Sequence, residues 1–467
     1  MPKSPAIPVA PGAVPILGHL PKLARDPLSY LDTLGEHGGL LTLRLGAKRM
    51  IVVCDPTLVH QMLVADDVFD KGGPFFASAR RLMPTGVGLV EHDRHRRLRK
   101  LMQPSFTRVR LSGYGRIMTR EITSALAGWQ DGQELDAVPE LMAITGRVLI
   151  ATMFSGSVPE ATMRQIMIDS TELTRGLLID TALPAPLARL TPGYGRYRAA
   201  VARLREVTLQ LITERRNVGP EAASQYSDLL QTLLTRGEDG GDGEEEPMSD
   251  SELVDQLTFM LVAGTETTAQ TMAWALYQMS VRPEIEMELH AEIDAALAGR
   301  DAAEYEDVAQ LKLTNRIVTE TLRYYSPAWI FTRQTSVDTE LGGYPIKAGT
   351  DILYSPYIIN RMPSAHDHAR TFDPERWQPE RAAKCPREAN IPFSTGARKC
   401  LGDQFSLVES ALILATVAAG WRLEAVPGTE LRTSRKTVVT PQGLKLRAVR
   451  RERKQETETA RGSAADV

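Results

Sequence analysis

Phe393-Ser394-Thr395-Gly396-Ala397-Arg398-Lys399-Cys400-Leu401-Gly402 runs almost directly into the apolar stretch Phe405 to Ala418, which reads as a buried helix. A cysteine just before a helix start sits among free backbone amides, and Arg398 and Lys399 add two cations, so this loop favours thiolate over thiol. Cys400 is therefore expected to be an anion. A thiolate can act as a nucleophile or as a metal ligand, while the usual fate of a lone cysteine is a buried structural side chain.

The rest of the chain bounds the choice. With 467 residues and one obvious linker, it reads as one large domain over 1–449 with a substantial core. A Pro-rich extended lead-in covers 1–20, an acidic Gly-rich surface loop 237–248, and a charged tail expected to be disordered 450–467. Lys and Arg number 55 against 58 Asp and Glu, a net charge of −3 that offers no footprint for nucleic acid. Cys54, Cys385 and Cys400 show no Cys-x-x-Cys spacing, so neither a disulfide framework nor a zinc or iron–sulfur site is indicated, and a reducing cytoplasm fits. No N-terminal run approaches the roughly 20 apolar residues that cross a bilayer, so neither secretion nor a membrane anchor is expected.

Leu40 to Leu45 and Met50 to Val53 form a hairpin, and Asp55-Pro56 opens a helix through Val64. Lys71 to Glu91 is so dense in Gly and Pro that it reads as an apolar loop, and a loop that keeps Phe75, Phe76 and Leu82 usually covers something. His92 to Met102 is a basic helix whose Arg94, Arg96 and Arg97 read as a solvated face, with His95 and Arg99 together on another. Helical stretches then dominate to Arg216, broken by Pro184, Pro186 and Pro192; the flanking helices are lid candidates or a plain helical hairpin.

Ser249-Asp250-Ser251-Glu252 is a capping box opening a helix to about Val281, roughly 45 to 50 Å long. Its middle, Ala263-Gly264-Thr265-Glu266-Thr267-Thr268, is a poor choice for a core helix on propensity and on burial, so it asks for a function. Glu320 and Arg323, at i and i+3, can form a buried ion pair if another cation completes it, and Arg376 is available. Strands are expected after Pro327, at Gly343 to Ile346 and Ile352 to Ser355, and in a C-terminal sheet with a turn at Pro441-Gln442-Gly443.

Together, Phe-x-x-Gly-x-Arg-x-Cys-x-Gly, Ala-Gly-x-Glu-Thr-Thr and Glu-x-x-Arg resemble the cytochrome P-450 family in its soluble bacterial form, and the likeness covers Pro11 to about Arg447. The resemblance implies a mainly α fold with smaller β-sheets, a triangular helical domain around a buried haem b crossed by a long central helix. It makes Cys400 the axial thiolate ligand, with Phe393, Gly396 and Gly402 shaping the loop against the macrocycle. Arg398, His95, Arg99 and Arg333 are expected to pair with the haem propionates. Ala263 and Gly264 would leave room for a diatomic ligand, Thr267 would open a local helix distortion and hydrogen-bond oxygen, and Glu266 would relay protons. Glu320, Arg323 and Arg376 would be a structural triad.

The implied reaction is O2-dependent hydroxylation of an unactivated carbon. No strand-linked Gly-x-Gly-x-x-Gly fingerprint is present, so electrons are expected from a separate ferredoxin or flavodoxin and an NAD(P)H-dependent reductase, the basic helix being a candidate docking face. A monomer is expected. The candidate pocket residues Phe75, Phe76, Leu82, Leu177, Leu178, Leu261, Trp329, Ile330, Phe331 and Val439 are apolar, with no cation to hold a carboxylate. The body of the chain, notably Ala328 to Arg333 and Tyr354-Ser355-Pro356-Tyr357, resembles actinobacterial members that oxidise cyclic sesquiterpenes, with a polyketide or steroid-like substrate as the alternative. A haem-thiolate protein that binds a ligand or senses gas without turnover is the reading from another class.

Overall fold

The computed structural model describes residues 6–155, 158–218, 222, 225–235, 246–435 and 438–452, so most of the acidic loop and of the C-terminal tail lies outside the described residues. The organising element is the 31-residue helix Asp250–Ser280, about 45 Å long. Its N-terminus closes as a capping box: the Ser249 hydroxyl accepts from the Glu252 amide, and the Glu252 carboxylate accepts from the Ser249 amide. Pro283 then opens the next helix, Pro283–Leu297. The helices Ala137–Phe154, Tyr194–Asn217, Lys312–Tyr325 and Asp403–Gly420 pack around the central one. Ala137–Phe154 is long and apolar enough to cross a membrane, and 67% of it is buried in the fold.

To one side lies a five-stranded sheet in the spatial order Leu40–Leu45, Lys48–Val53, Asp351–Tyr354, Phe331–Thr335, Phe69–Asp70. The expected hairpin is antiparallel, and its second strand pairs in parallel with Asp351–Tyr354, Ile51 opposite Ile352. Phe331 pairs with Tyr354, and their rings stack at 5.5 Å. The sheet anchors the chain on both flanks of the Phe331–Thr335 strand, so Arg333 is held with its side chain fully buried.

The structure corrects the reading of 71–91 as irregular, because Pro74–Leu82 is a helix. Pro74 occupies its first turn, where a missing N–H is harmless, and Phe76, Ala79 and Leu82 bury one face. The basic helix, His92–Met102, exposes Arg94 and Arg96 as expected, whereas Arg97 pairs with Glu252 of the central helix at 2.8 Å. The C-terminal turn also shifts: Pro441 and Gln442 belong to the strand Val439–Gln442, and Gly443, at φ 82°, makes the turn.

Glu320 and Arg323 are both fully buried and pair bidentately at 2.7 and 2.8 Å. Arg323 directs its other donors to the carbonyls of Asn360, Ala369 and Thr371, while Glu320 also accepts from the Asp373 amide and the Trp377 indole. The Arg376 Nε stands 3.7 Å from Glu320, beyond hydrogen-bond reach, and its guanidinium donates instead to the carbonyls of Asp367 and His368. One ion pair thus ties the helix Lys312–Tyr325 to the irregular chain over 360–377. Arg323→Ala leaves a buried carboxylate without its main partner and is expected to destabilise the holoprotein by about 3–5 kcal/mol. A denaturation midpoint equal to wild type would refute that assignment.

Candidate active site

The cysteine loop is positioned by contacts on three sides. Gly396 has φ 71°, and a Cβ there would lie 2.5 Å from the Leu63 carbonyl oxygen, so only glycine lets the loop seat on the helix Pro56–Val64. Gly402 is different, with φ −95° and only Phe106 at 4.0 Å. The Cys400 amide donates to the Phe393 carbonyl at 2.9 Å, closing the turn. Cys400 presents an exposed side chain although its surroundings are dense enough to desolvate it, which describes the wall of an internal recess.

The thiolate expected at Cys400 depends on more than the loop. Burial pushes its pKa above the ordinary thiol value, and the Gly402 amide, Arg99 and Lys399 offset this only in part, with Asp403 opposing them. The loop alone does not make the anion; a coordinating metal deprotonates a thiol outright.

Arg398 is also placed otherwise than expected. It donates to Asp66 at 3.1 Å, to Asp70 at 2.5 Å and to the Val90 carbonyl at 2.7 Å. Two carboxylates already neutralise it, so it fastens the cysteine loop to 66–70 and 90. Arg99 donates to the Lys399 carbonyl at 2.6 Å from the other side.

The unfilled demand lies elsewhere. Arg333 is fully buried, and none of its three guanidinium nitrogens has a partner among the described residues. The buried His95 likewise leaves Nδ1 unpaired, and burial, then Arg398 and Arg99, depress its pKa to about 3, so it offers a neutral N–H rather than a charge. Lys71, which sequence reasoning passed over, stands 4.9 Å over the Phe76 ring and 5.5 Å over Phe331. Burial, then Arg333 and Arg398, push its pKa well below the lysine range. Leaving a buried cation unpaired is costly, and Arg333 and His95 leave buried donors without a partner among the described residues, with the Lys71 ammonium nearby. The two propionates of a haem fit that demand.

On the central helix, Ala263 is exposed, with Val262, Gly264, Glu266 and Thr267 partly open and Leu261, Thr265 and Thr268 buried. The helix is continuous there: the Thr267 hydroxyl donates to the Ala263 carbonyl at 2.9 Å, and no distortion opens. Gly264 serves packing rather than ligand space, because a Cβ would come within 2.9 Å of Leu149. Thr268 meets Ser406 at 3.2 Å, which brings this stretch against the helix that follows Cys400. Beside it, Glu409 is fully desolvated, hydrogen-bonded to Thr268 and pushed up to about 8, a second residue the sequence did not reveal.

Among the expected pocket residues, Phe75, Leu178, Ile330 and Phe331 are partly open. Phe76, Leu82, Leu177 and Val439 are buried in core clusters. Leu261 and Trp329 are corrected. Leu261 lies two positions from Ala263, about 200° round the helix, and packs in the core. Trp329 joins Trp274 and Tyr325, while its neighbours Ala328 and Ile330 remain partly open. Phe259, one turn before Ala263, shares its side of the helix and is partly open.

Several known proteins resemble this chain over nearly all of its length. Pentalenene oxygenase of Streptomyces avermitilis is 40% identical over 95% of this chain and 97% of its own length. From Streptomyces melanosporofaciens, cyclooctat-9-en-7-ol 5-monooxygenase is 40% identical over 90% of both chains, and cyclooctatin synthase is 36% identical over 94% of both. The crystal structure of the cytochrome P450DA heme domain superposes with a TM-score of 0.85 at 25% identity, covering 96% of this chain and 98% of that one. The family model for Cytochrome P450 matches residues 8–447, and the chain belongs to that family of haem-thiolate monooxygenases.

Proposed function

We propose that this monooxygenase hydroxylates a cyclic terpene hydrocarbon, with Cys400 as the axial ligand and with Glu266 and Thr267 as its proton-handling pair. The observation that carries the site assignment is the open Ala263–Thr267 face of an otherwise buried helix, in the same region as Cys400. The terpene class rests on the three relatives above, two of them named for oxygenation steps, and on a pocket whose partly open side chains Phe75, Leu178, Ile330 and Phe331 are apolar.

When bound, the haem supplies O2 binding and the oxidising power for an unactivated C–H bond. The residues do the remainder. Arg333 and Lys71, with the neutral His95, would hold the propionates and so fix the macrocycle against Cys400. The Thr267 hydroxyl, which donates to the Ala263 carbonyl, can still accept from a donor in the recess, and Glu266, one residue before it, would hold the proton to be passed on. Apolar walls would keep bulk water from this pair. Electrons would come from a separate ferredoxin or flavodoxin with its reductase, for which the exposed Arg94, Arg96 and Lys100 of the basic helix offer a docking face.

Cys400→Ser is expected to abolish the red-shifted Soret band of the ferrous–CO form, and a retained band would remove Cys400 as the ligand. Thr267→Ala is expected to lower product on the order of 10²-fold while electron consumption persists; an unchanged product yield per electron would sink its role. Arg333→Gln is expected to speed haem loss to a scavenging apoprotein, and a wild-type rate would assign the buried guanidinium to something other than a propionate. Titration of the ferric protein with cyclic sesquiterpenes tests the substrate class directly: a low- to high-spin change supports it, and its absence across the panel redirects the search to other apolar substrates.

A further inference from the structure

Asp255 is fully buried in the first half of the central helix, about two turns before the open face at Ala263 and far in sequence from everything it binds. One carboxylate oxygen accepts from both the amide and the hydroxyl of Thr85, at 2.9 and 2.8 Å. The other accepts from Arg205 of the helix Tyr194–Asn217 at 2.5 Å, and Arg205 also donates to the Leu82 carbonyl at 3.1 Å. The next residue continues the clasp: the Gln256 side chain accepts from the Val87 amide at 2.7 Å and donates to the Thr85 carbonyl. One turn on, the Phe259 side chain lies against Gly86 with its Cβ and against Gly88 with its ring, and a Cβ on Gly88 would collide with that ring. Ala263, on the open face, follows one further turn along.

The far end of the same segment is pinned as well. Arg398 of the cysteine loop donates to the Val90 carbonyl at 2.7 Å, and Arg80 donates to the Leu89 carbonyl at 2.7 Å. Residues 85–90 therefore form a strap stretched between the central helix and the cysteine loop, mostly buried, with Gly88 and the Phe259 against it partly open one turn from the exposed Ala263. A hydrocarbon substrate offers no polar handle, so selectivity among its C–H bonds must come from the shape of the walls. A buried carboxylate is a costly way to gain stability, since apolar packing would serve as well or better. Its distinctive product is a fixed geometry.

We infer that Asp255 is a positioning residue for selectivity: acting through Thr85 and Arg205, it presets the 85–90 strap and the Phe259 ring as one wall of the substrate pocket. The inference rests on the apolar-substrate reading for its selectivity readout, but not for its structural one.

The test compares wild type, Asp255→Asn and Arg205→Gln as haem-loaded proteins. Without substrate, amide hydrogen exchange over 85–90 is expected to quicken by about tenfold or more in both variants, as a hydrogen bond to a charged group is lost, with the ferrous–CO spectrum unchanged. With a cyclic sesquiterpene hydrocarbon as probe, the ratio of product regioisomers is expected to spread relative to wild type. Exchange at the wild-type rate overturns the proposal, and so does faster exchange with an unchanged product ratio, which would make the clasp merely structural. If Asp255→Asn does not fold, Arg205→Gln, whose side chain is partly exposed, carries both readouts. If wild type converts no terpene, the substrate reading fails by itself, and the exchange result alone then decides whether Asp255 presets the strap.

Discussion

A guanidinium cannot shed its charge inside a protein, so every buried arginine must be met by acceptors. Three of them organise this molecule. Arg323 is met by Glu320 and three carbonyls, which fixes the irregular chain over 360–377 on the helix Lys312–Tyr325. Arg398 is met by Asp66, Asp70 and Val90, which fixes the cysteine loop on the chain that precedes the basic helix. Arg333 is met by nothing among the described residues, although the sheet around it holds it as firmly as the other two. The same constraint that completes the fold at two places leaves it incomplete at the third, and a carboxylate from a cofactor is the partner of matching chemistry.

That contrast also explains what the sequence could reveal. The motif residues are legible because each demands an unusual local choice: a glycine at φ 71° in Gly396, a capping box at Ser249, small and polar residues in the middle of a helix at Ala263 to Thr268. Helix boundaries follow from apolar period and Pro placement, and fail where those signals conflict, as at Pro74, a helix starter in a stretch dense with breakers. What one arginine binds is not legible, because Arg333 and Arg398 look alike in a string. The aspartates that meet Arg398 lie 328 and 332 residues away, and Arg333 has no hydrogen-bond partner among the described residues. Lys71 and Glu409 escape for the same reason: each is an ordinary residue type made exceptional by surroundings that only folding assembles.

The side of a helix on which a residue falls is legible in principle, and apolarity alone overrides it at a cost. Leu261 reads as a pocket residue by its apolar side chain, yet with 3.6 residues per turn the face of Ala263 and Thr267 continues back through Phe259 and not through Leu261. Gly86 and Gly88 in turn seat the Phe259 side chain, and Asp255, one turn earlier on the same helix, binds the chain that carries them.

The cysteine illustrates how burial and charge compete within one site. The Gly402 amide, Arg99 and Lys399 favour the thiolate, yet desolvation is the larger effect and the thiol is held above its ordinary range. A loop tuned instead for a free thiolate would need more exposure or more positive charge, and either would serve iron poorly: water would reach the sulfur, and added hydrogen bonds would draw electron density from it. Burial thus works against a free thiolate, and the iron that Cys400 would ligate would supply the charge that favours the anion. Arg398, the cation nearest in sequence after Lys399, is engaged on two aspartates instead.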